Sequence, residues 1–474
     1  MKILHIGAEC YPMAKVGGLG DVVGALPKYQ VSMGVPCAVL LPMHRTFFLQ
    51  QHQWDVVHKG KICIGNADLD FTVIKKSGNS VGFDLYCLDI FGLLDREKVY
   101  GYDDDYFRFL AFQVAALHWI ASLEQPPDLL HLHDHHTGLM PFMIKYCFAF
   151  SQLKYISTLF TIHNASYQGI MDEEFRNLLP AFDDWKTGML LWNNQINSLA
   201  CAIKCADSVT TVSPGYLSEL YNNSFGLEQL FHQEHQKCKG ILNGIDDEVW
   251  NPATDRMIAV KYEQEIVDWG KYANKMHVCN TFGFDAELPL IVFIGRLVWE
   301  KAADLLSSAI QDAFRLFPEK FNCIVLGNGD ASIEQDLTLI NRDYHGFYRS
   351  QIKYDEAFSH QLYASADFLL MPSRTEPCGL NQLYAMRYGT IPIVRSIGGL
   401  KDTVVDISAK NGFGICFEQL SIQEIANGVG RAIELYGNNK QVTQIRKHMM
   451  NINHSWQKSA NEYIDIYRSL ISSS

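Results

Sequence analysis

The stretch Ser373-Arg374-Thr375-Glu376-Pro377-Cys378-Gly379-Leu380 joins an apolar run, residues 366–372, to residues 381–389, which have helical spacing. Pro and Gly at such a junction leave backbone N–H groups free at a helix start, where the dipole favours an anion. Glu376 cannot serve that anion, because like charges repel. A carboxylate there suits neutral hydroxyls, which points to a phosphate joined to a sugar. A helix cap with Pro in the first turn accounts for Glu376 and Pro377 equally well, and both readings stand at this level. Lys15-Val16-Gly17-Gly18-Leu19-Gly20-Asp21 offers a second anion-facing segment. Its three glycines let backbone approach a ligand closely, and Lys15 ahead of them suits a negative charge. A helix is expected from about Asp21. The segment matches neither a nucleotide-triphosphate loop nor a dinucleotide fingerprint, and a plain glycine-rich turn is the alternative.

Arg296 and Lys301 follow another apolar run, residues 288–294. Arg296 is expected at the strand's C-terminal end and Lys301 in the first helical turn, both as unpaired cations that would neutralise a departing diphosphate. The sequence His131-Leu132-His133-Asp134-His135-His136 suggests a metal cluster at first sight. Alternate residues of a strand face opposite ways and no second ligand group stands out, so no metal is expected; Asp134, at the strand end, is the better functional candidate. His163, in Thr161-Ile162-His163-Asn164, also closes a strand, where α/β folds bind ligands. Asn243-Gly244-Ile245-Asp246 fits either a ligand-lining position or a hinge.

The elements that must hold these residues alternate along the chain. Short apolar strands are expected over residues 2–7, 38–41, 129–132, 156–162 and 208–212, then 288–294, 321–326, 368–371 and 391–394, with helical stretches between them. That pattern indicates parallel sheets covered on both faces, and it restarts at residue 288. The Asn-Gly and Asn-Pro steps of residues 240–252 suit an interdomain connection. A length of 474 residues calls for two or three domains. The chain is expected to divide into residues 1–243, residues 244–455, and a final helix in residues 456–474 that returns to the first domain. Two doubly wound domains facing across a cleft would turn their strand C-termini toward it. The net charge of -12 argues against broad nucleic-acid binding, so the cations that matter are local and few. No apolar run is long enough to span a bilayer, the N-terminus reads as a strand rather than a signal peptide, and twelve scattered cysteines fit a reducing, cytoplasmic setting.

Eight segments in order resemble the bacterial glycogen synthases and plant starch synthases. They are Lys15–Asp21, His133–Leu139, Thr161–Asn164, Val212–Tyr216, Gly240–Asp246, Gly295–Leu297 with Lys301, Glu376–Leu380 and Gly398–Val404. The resemblance spans essentially the whole chain. It implies a GT-B fold of two Rossmann-like domains, the first on the acceptor side and the second binding the nucleotide sugar. It implies transfer of glucose, with retention, from a nucleotide-diphosphate glucose (usually ADP-glucose) to the non-reducing end of an α-1,4-glucan, without metal or other cofactor. By resemblance, Lys15, Gly17 and Gly18 sit by the donor diphosphate, which Arg296, Lys301 and the backbone of Cys378, Gly379 and Leu380 also hold. His163, Asp134 and Asn243 lie near the transferred glucose, Glu376 contacts its hydroxyls, and Tyr354 stacks on the base. Tyr100 aligns loosely beside them.

Four positions depart from the family pattern: Thr375 for Phe, Asn381 for Thr, His135 for Trp and Ala302 for Gly. None removes a charged group, but Thr375 and Asn381 border the nucleotide and loosen the expectation about its base. Rival readings are a transferase that makes a disaccharide phosphate, a noncatalytic glucan-binding protein, and a nicotinamide dehydrogenase. The first lacks a recognisable acceptor-phosphate site, the second would not keep Lys15, Arg296 and Lys301, and the third lacks its fingerprint.

Overall fold

The computed structural model describes residues 1–473 and divides into two units, Met1–Asn243 with the helix that begins at Trp456, and Gly244–Ser455. In the first unit the strands are β1 (Ile3–Ile6), β2 (Cys37–Pro42), β3 (Trp54–Ile64), β4 (Ala67–Lys76), β5 (Asp84–Asp89), β6 (Leu129–His133) and β7 (Ser157–Ile162). They continue as β8 (Ile170–Met171), β9 (Leu191–Trp192), β10 (Gln195–Asn197), β11 (Ser208–Thr211) and β12 (Cys238–Gly240). The main sheet has the order β12-β11-β7-β6-β1-β2-β5-β4-β3, and β8, β10 and β9 form a small separate sheet.

From β12 to β5 the main sheet is parallel, as continuous apolar runs such as residues 129–132 require when both faces are covered. At one edge the parallel sheet is extended by an antiparallel hairpin of β3 and β4 joined to β5, which the sequence pattern does not indicate. Burial alternates along the second half of β3, with Lys59 and Lys61 exposed and Ile62 and Ile64 buried, so one face can stay wet.

Trp456–Ser473 is helical, and its buried Trp456, Tyr463, Ile464 and Tyr467 pack with Ile3, Val22, Leu26 and Leu159 of the first unit. The apolar stripe at helical spacing is thus covered by the helix Gly18–Ser32 and the strands beneath it.

The second unit is a six-stranded parallel sheet: β13 (Leu290–Ile294), β14 (Asn322–Gly327), β15 (Tyr348–Ile352), β16 (Phe368–Met371), β17 (Ile391–Arg395) and β18 (Ile415–Phe417), in the order β15-β14-β13-β16-β17-β18. β13 and β16 are neighbours, so the loops after them leave the sheet side by side. The buried Asp367 that opens β16 is neutralised by Lys275 at 2.7 Å and Arg446 at 2.5 Å. Among the described residues no helix is long and apolar enough to cross a membrane.

Candidate active site

In the first unit β7, β6 and β1 are adjacent, and the residues just past their C-terminal ends collect the candidate groups. Glu9 follows β1. Its carboxylate accepts from the amides of Val16 (2.5 Å) and Gly17 (2.9 Å) and from the Tyr100 hydroxyl (2.7 Å). Burial raises the Glu9 pKa, against those donors. The helix begins at Gly18, earlier than the sequence suggests, with Gly17 as its cap. Gly20 therefore lies in the helix, where a Cβ would stand 3.1 Å from a Glu9 oxygen, whereas a Cβ on Gly17 would meet nothing within 4 Å. Gly17 leaves room for a ligand, whereas Gly20 is explained by packing. Lys15 Nζ pairs with Asp21 at 2.7 Å.

Asp134 follows β6 with φ 56° and ψ 176°, a sparsely populated positive-φ conformation that costs a non-glycine residue about 1–3 kcal/mol. The neighbouring strand holds it there. Its amide donates to Thr161 O at 3.0 Å, and its Oδ1 accepts from the His163 amide at 2.7 Å. Burial pushes its carboxyl up to about 7, while amide hydrogen bonds from His163 and Asn164 pull the other way. His163 is 9% exposed, and its Nε2 lies 3.0 Å from His133 Nδ1. Asn243 is buried with its Oδ1 unpaired. Tyr100 stacks on His136, ring centres 4.8 Å apart.

The histidine-rich segment does contain a cluster, with a member the sequence reading passed over. β1 pairs with β6 so that His5 stands opposite His131, and ligand atoms of His5, His131 and His133 lie within 4.8 Å of one another. Each ring nitrogen of the three already meets a protein partner. His5 reaches Gln30 Oε1 (2.8 Å) and His133 Nε2 (3.2 Å), and His131 reaches Tyr467 OH (2.7 Å) and Thr161 Oγ1 (2.6 Å). With His133 Nδ1 turned to His163, a cation would have to break this network rather than fill a gap. The missed signal is His5 itself, a polar residue inside a buried strand.

In the second unit Arg296, Lys301 and the loop between β16 and the helix Asn381–Arg387 form another group. Arg296 lies two residues past β13, exposed, with no ion pair among the described residues. Lys301 is different from expectation in two ways. It ends the short 3-10 turn Trp299–Lys301 ahead of the helix Ala303–Leu316, and it is not an unpaired cation. Its Nζ donates to both oxygens of Glu376 at 2.6 Å. Glu376, 5% exposed, also accepts from Ser373 Oγ at 2.8 Å. The cap reading of Glu376 falls here, because the helix starts five residues later with Leu380 as its cap and no capping side chain.

Arg374, which sequence reasoning passed over, staples the loop in place. Its guanidinium binds Trp299 O (2.7 Å) and Asp304 Oδ2 (2.8 Å), and the Arg374 amide donates to Glu300 O (2.8 Å). Cys378 is buried, Gly379 needs its positive φ of 72°, and a Cβ on Gly399 would lie 2.0 Å from Cys378 O. The amides of Gly379 and Leu380 meet no protein acceptor among the described residues, which leaves them available to an anion. Asn381 ties the helix start to β13 through Ile294 O at 2.7 Å. Tyr354 is 67% exposed beside Glu356, 3.1 Å from its hydroxyl.

Residues 2–233 match the family described as starch synthase catalytic domain, and residues 280–449 match glycosyl transferases group 1. A glycogen synthase of Flavobacterium johnsoniae is 48% identical over 471 residues, 99% of each chain. The chain belongs to the glycogen synthase family. A glycogen synthase of Hydrogenobaculum is 37% identical over 99% of this chain and 98% of its own. The catalytic domain of starch synthase IV from Arabidopsis thaliana, solved bound to ADP and acarbose, superposes with a TM-score of 0.91 at 29% identity, covering 99% of both chains. Sucrose-phosphate synthase from Thermosynechococcus elongatus shares the fold, with a TM-score of 0.64 at 17% identity over the whole of both chains. The glycogen synthase relatives and these neighbours make the fold GT-B, with two Rossmann-like domains, and the protein a glycosyltransferase.

Proposed function

We propose that this glycosyltransferase moves glucose from ADP-glucose to the non-reducing end of an α-1,4-glucan, with retention, in glycogen synthesis in the cytoplasm. The observation that carries the reading is the group after β13 and β16: Arg296, the Lys301–Glu376 pair and the open amides of Gly379 and Leu380. Cations and N–H groups fixed before reaction stabilise charge as a diphosphate departs. Arg296, Lys301, Lys15 and the backbone of Gly17, Gly18 and Cys378–Leu380 are assigned to that diphosphate. Glu376 is assigned to glucose hydroxyls, and Tyr354 to the base. Asp134, His163 and Asn243 are assigned to the transferred glucose. In the step itself the bond from anomeric carbon to diphosphate oxygen breaks, the acceptor hydroxyl bonds on the same face, and its proton passes to the leaving phosphate. Full-length identity to glycogen synthases supports the glucan acceptor, and the ADP complex of starch synthase IV supports the donor. Twelve free cysteines, nine of them buried, support a reducing compartment.

A donor panel with glycogen as acceptor tests this reading. ADP-glucose should give nucleotide release and polymer extension in equal amounts. Release without extension, or turnover with UDP-glucose alone, would overturn the acceptor or the donor assignment respectively.

A further inference from the structure

His5, His131, His133 and His163 hold eight ring nitrogens, and seven meet a protein partner. The eighth, His163 Nδ1, has none among the described residues and, unlike Nδ1 of His135 and His136, is not sealed from solvent. A neutral imidazole donates at one nitrogen and accepts at the other, so the order of protons along such a chain is set wherever one end is fixed.

Gln30 fixes it. Its Oε1 lies 2.8 Å from His5 Nε2 and 3.2 Å from Cys37 Sγ, and its Nε2 lies 2.9 Å from Tyr467 OH. Burial pushes the Cys37 thiol up to about 12, so it stays protonated and donates to Gln30 Oε1, the same oxygen that faces His5 Nε2. His5 therefore carries its proton on Nε2 and accepts at Nδ1. His133 donates from Nε2 to His5 and accepts at Nδ1; His163 donates from Nε2 to His133. Nδ1 of His163 is left as a bare lone pair. The other branch runs in the same sense, Gln30 to Tyr467 to His131 to Thr161 to Thr210. Burial keeps the rings neutral, lowering His5 to about 4 and His163 to about 3, with His131 and His133 well below their ordinary value.

We propose that Gln30, His5 and His133 are positioning residues that lock His163 in its Nε2–H form, so that Nδ1 accepts a hydrogen bond from a hydroxyl of the transferred sugar. This rests on the assignment of His163 to that sugar. The opposite tautomer would present N–H there and could take no hydroxyl proton.

Two readouts on the full chain test the relay. In 15N-histidine NMR, with His163 assigned through His163→Ala, Nδ1 should be unprotonated and Nε2 protonated. In kinetics, His133→Leu should lower kcat about tenfold with donor KM within about twofold, the scale of one neutral hydrogen bond. His133→Asn, whose Oδ1 replaces the accepting Nδ1, should restore most of that loss. A protonated Nδ1, or equal impairment by Leu and Asn, would overturn the proposal. If His133→Leu does not fold, the wild-type spectrum still decides. Wild-type turnover in His163→Ala would overturn the sugar assignment itself; a crippled His163→Ala with the wrong tautomer overturns the relay alone.

Discussion

Lys301 Nζ stands 2.6 Å from each carboxylate oxygen of Glu376, so the cation assigned to the diphosphate and the carboxylate assigned to the sugar are partners of each other. The pair is part-buried, with the Glu376 side chain 6% exposed and that of Lys301 23% exposed. Each ion holds the other in place before a donor arrives, which is preorganisation of the kind charge-stabilising sites require. It also ties chemistry to stability.

Lys301→Ala should lower turnover about 10²–10³-fold. It should also cost about 2 kcal/mol of stability, because it leaves a buried carboxylate with Ser373 as its remaining side-chain donor. The double variant Lys301→Ala/Glu376→Gln should recover most of that stability and none of the turnover. Urea unfolding and initial rates on the three proteins check this; a Lys301→Ala protein as stable and active as wild type would show the pair to be idle.

Ala302 is fully buried and left-handed, φ 55° and ψ 29°, where the family pattern has Gly. The backbone penalty at this position offsets what glycine loses in unfolded-chain entropy and methyl burial. Ala302→Gly should therefore change stability by under about 0.5 kcal/mol. Ala309→Gly, buried inside the helix Ala303–Leu316, should cost about 1 kcal/mol or more. Equal losses in thermal unfolding would contradict the left-handed placement.

Arg374 should matter through its fork rather than its charge. Lysine cannot span Trp299 O and the Asp304 carboxylate together. Arg374→Lys should loosen the turn that carries Lys301 and reduce kcat roughly tenfold, the value of about 1.4 kcal/mol. Unchanged kcat in a folded Arg374→Lys protein would mean that the loop keeps its place without the staple.

How much of this was legible depended on the kind of signal. Apolar runs such as residues 290–294 and 368–371 became strands because a continuous hydrophobic stretch has few other solutions in a parallel sheet. The β3–β4 hairpin was not legible that way, since its alternating charges resemble surface. Asp134 and His163 were readable as candidates from their position at strand ends, and Glu376 from the strand-to-helix junction that carries Pro377 and Gly379. Their partners were not: Lys301 and Glu376 are 75 residues apart, and His5 meets His133 across 128. Side-chain pairing over such separations is settled by strand order and register, which the order β7-β6-β1 supplies and sequence spacing does not. Arg374 escaped notice because a lone arginine beside a motif looks like solvated charge until its acceptors are known.

Asp134 gives the pH prediction. Its carboxyl is raised from 3.8 to about 7, chiefly by burial, with Glu9 adding repulsion and amides from His163 and Asn164 opposing. The folded chain thus holds this proton more tightly than the unfolded chain does. The group's contribution to stability is complete below the ordinary carboxylate range and is lost as pH rises through about 7. Asp134→Asn does not titrate. Across that window the wild type should lose stability relative to the variant as pH rises. His5 and His163, shifted downward, act with the opposite sign, but they are present in both proteins and largely cancel in the difference. Urea midpoints for the pair, taken from pH about 5 to about 8, read the effect directly. A stability difference that stays flat over that range would mean that Asp134 is ionised throughout, and that solvent or a cation reaches the carboxylate.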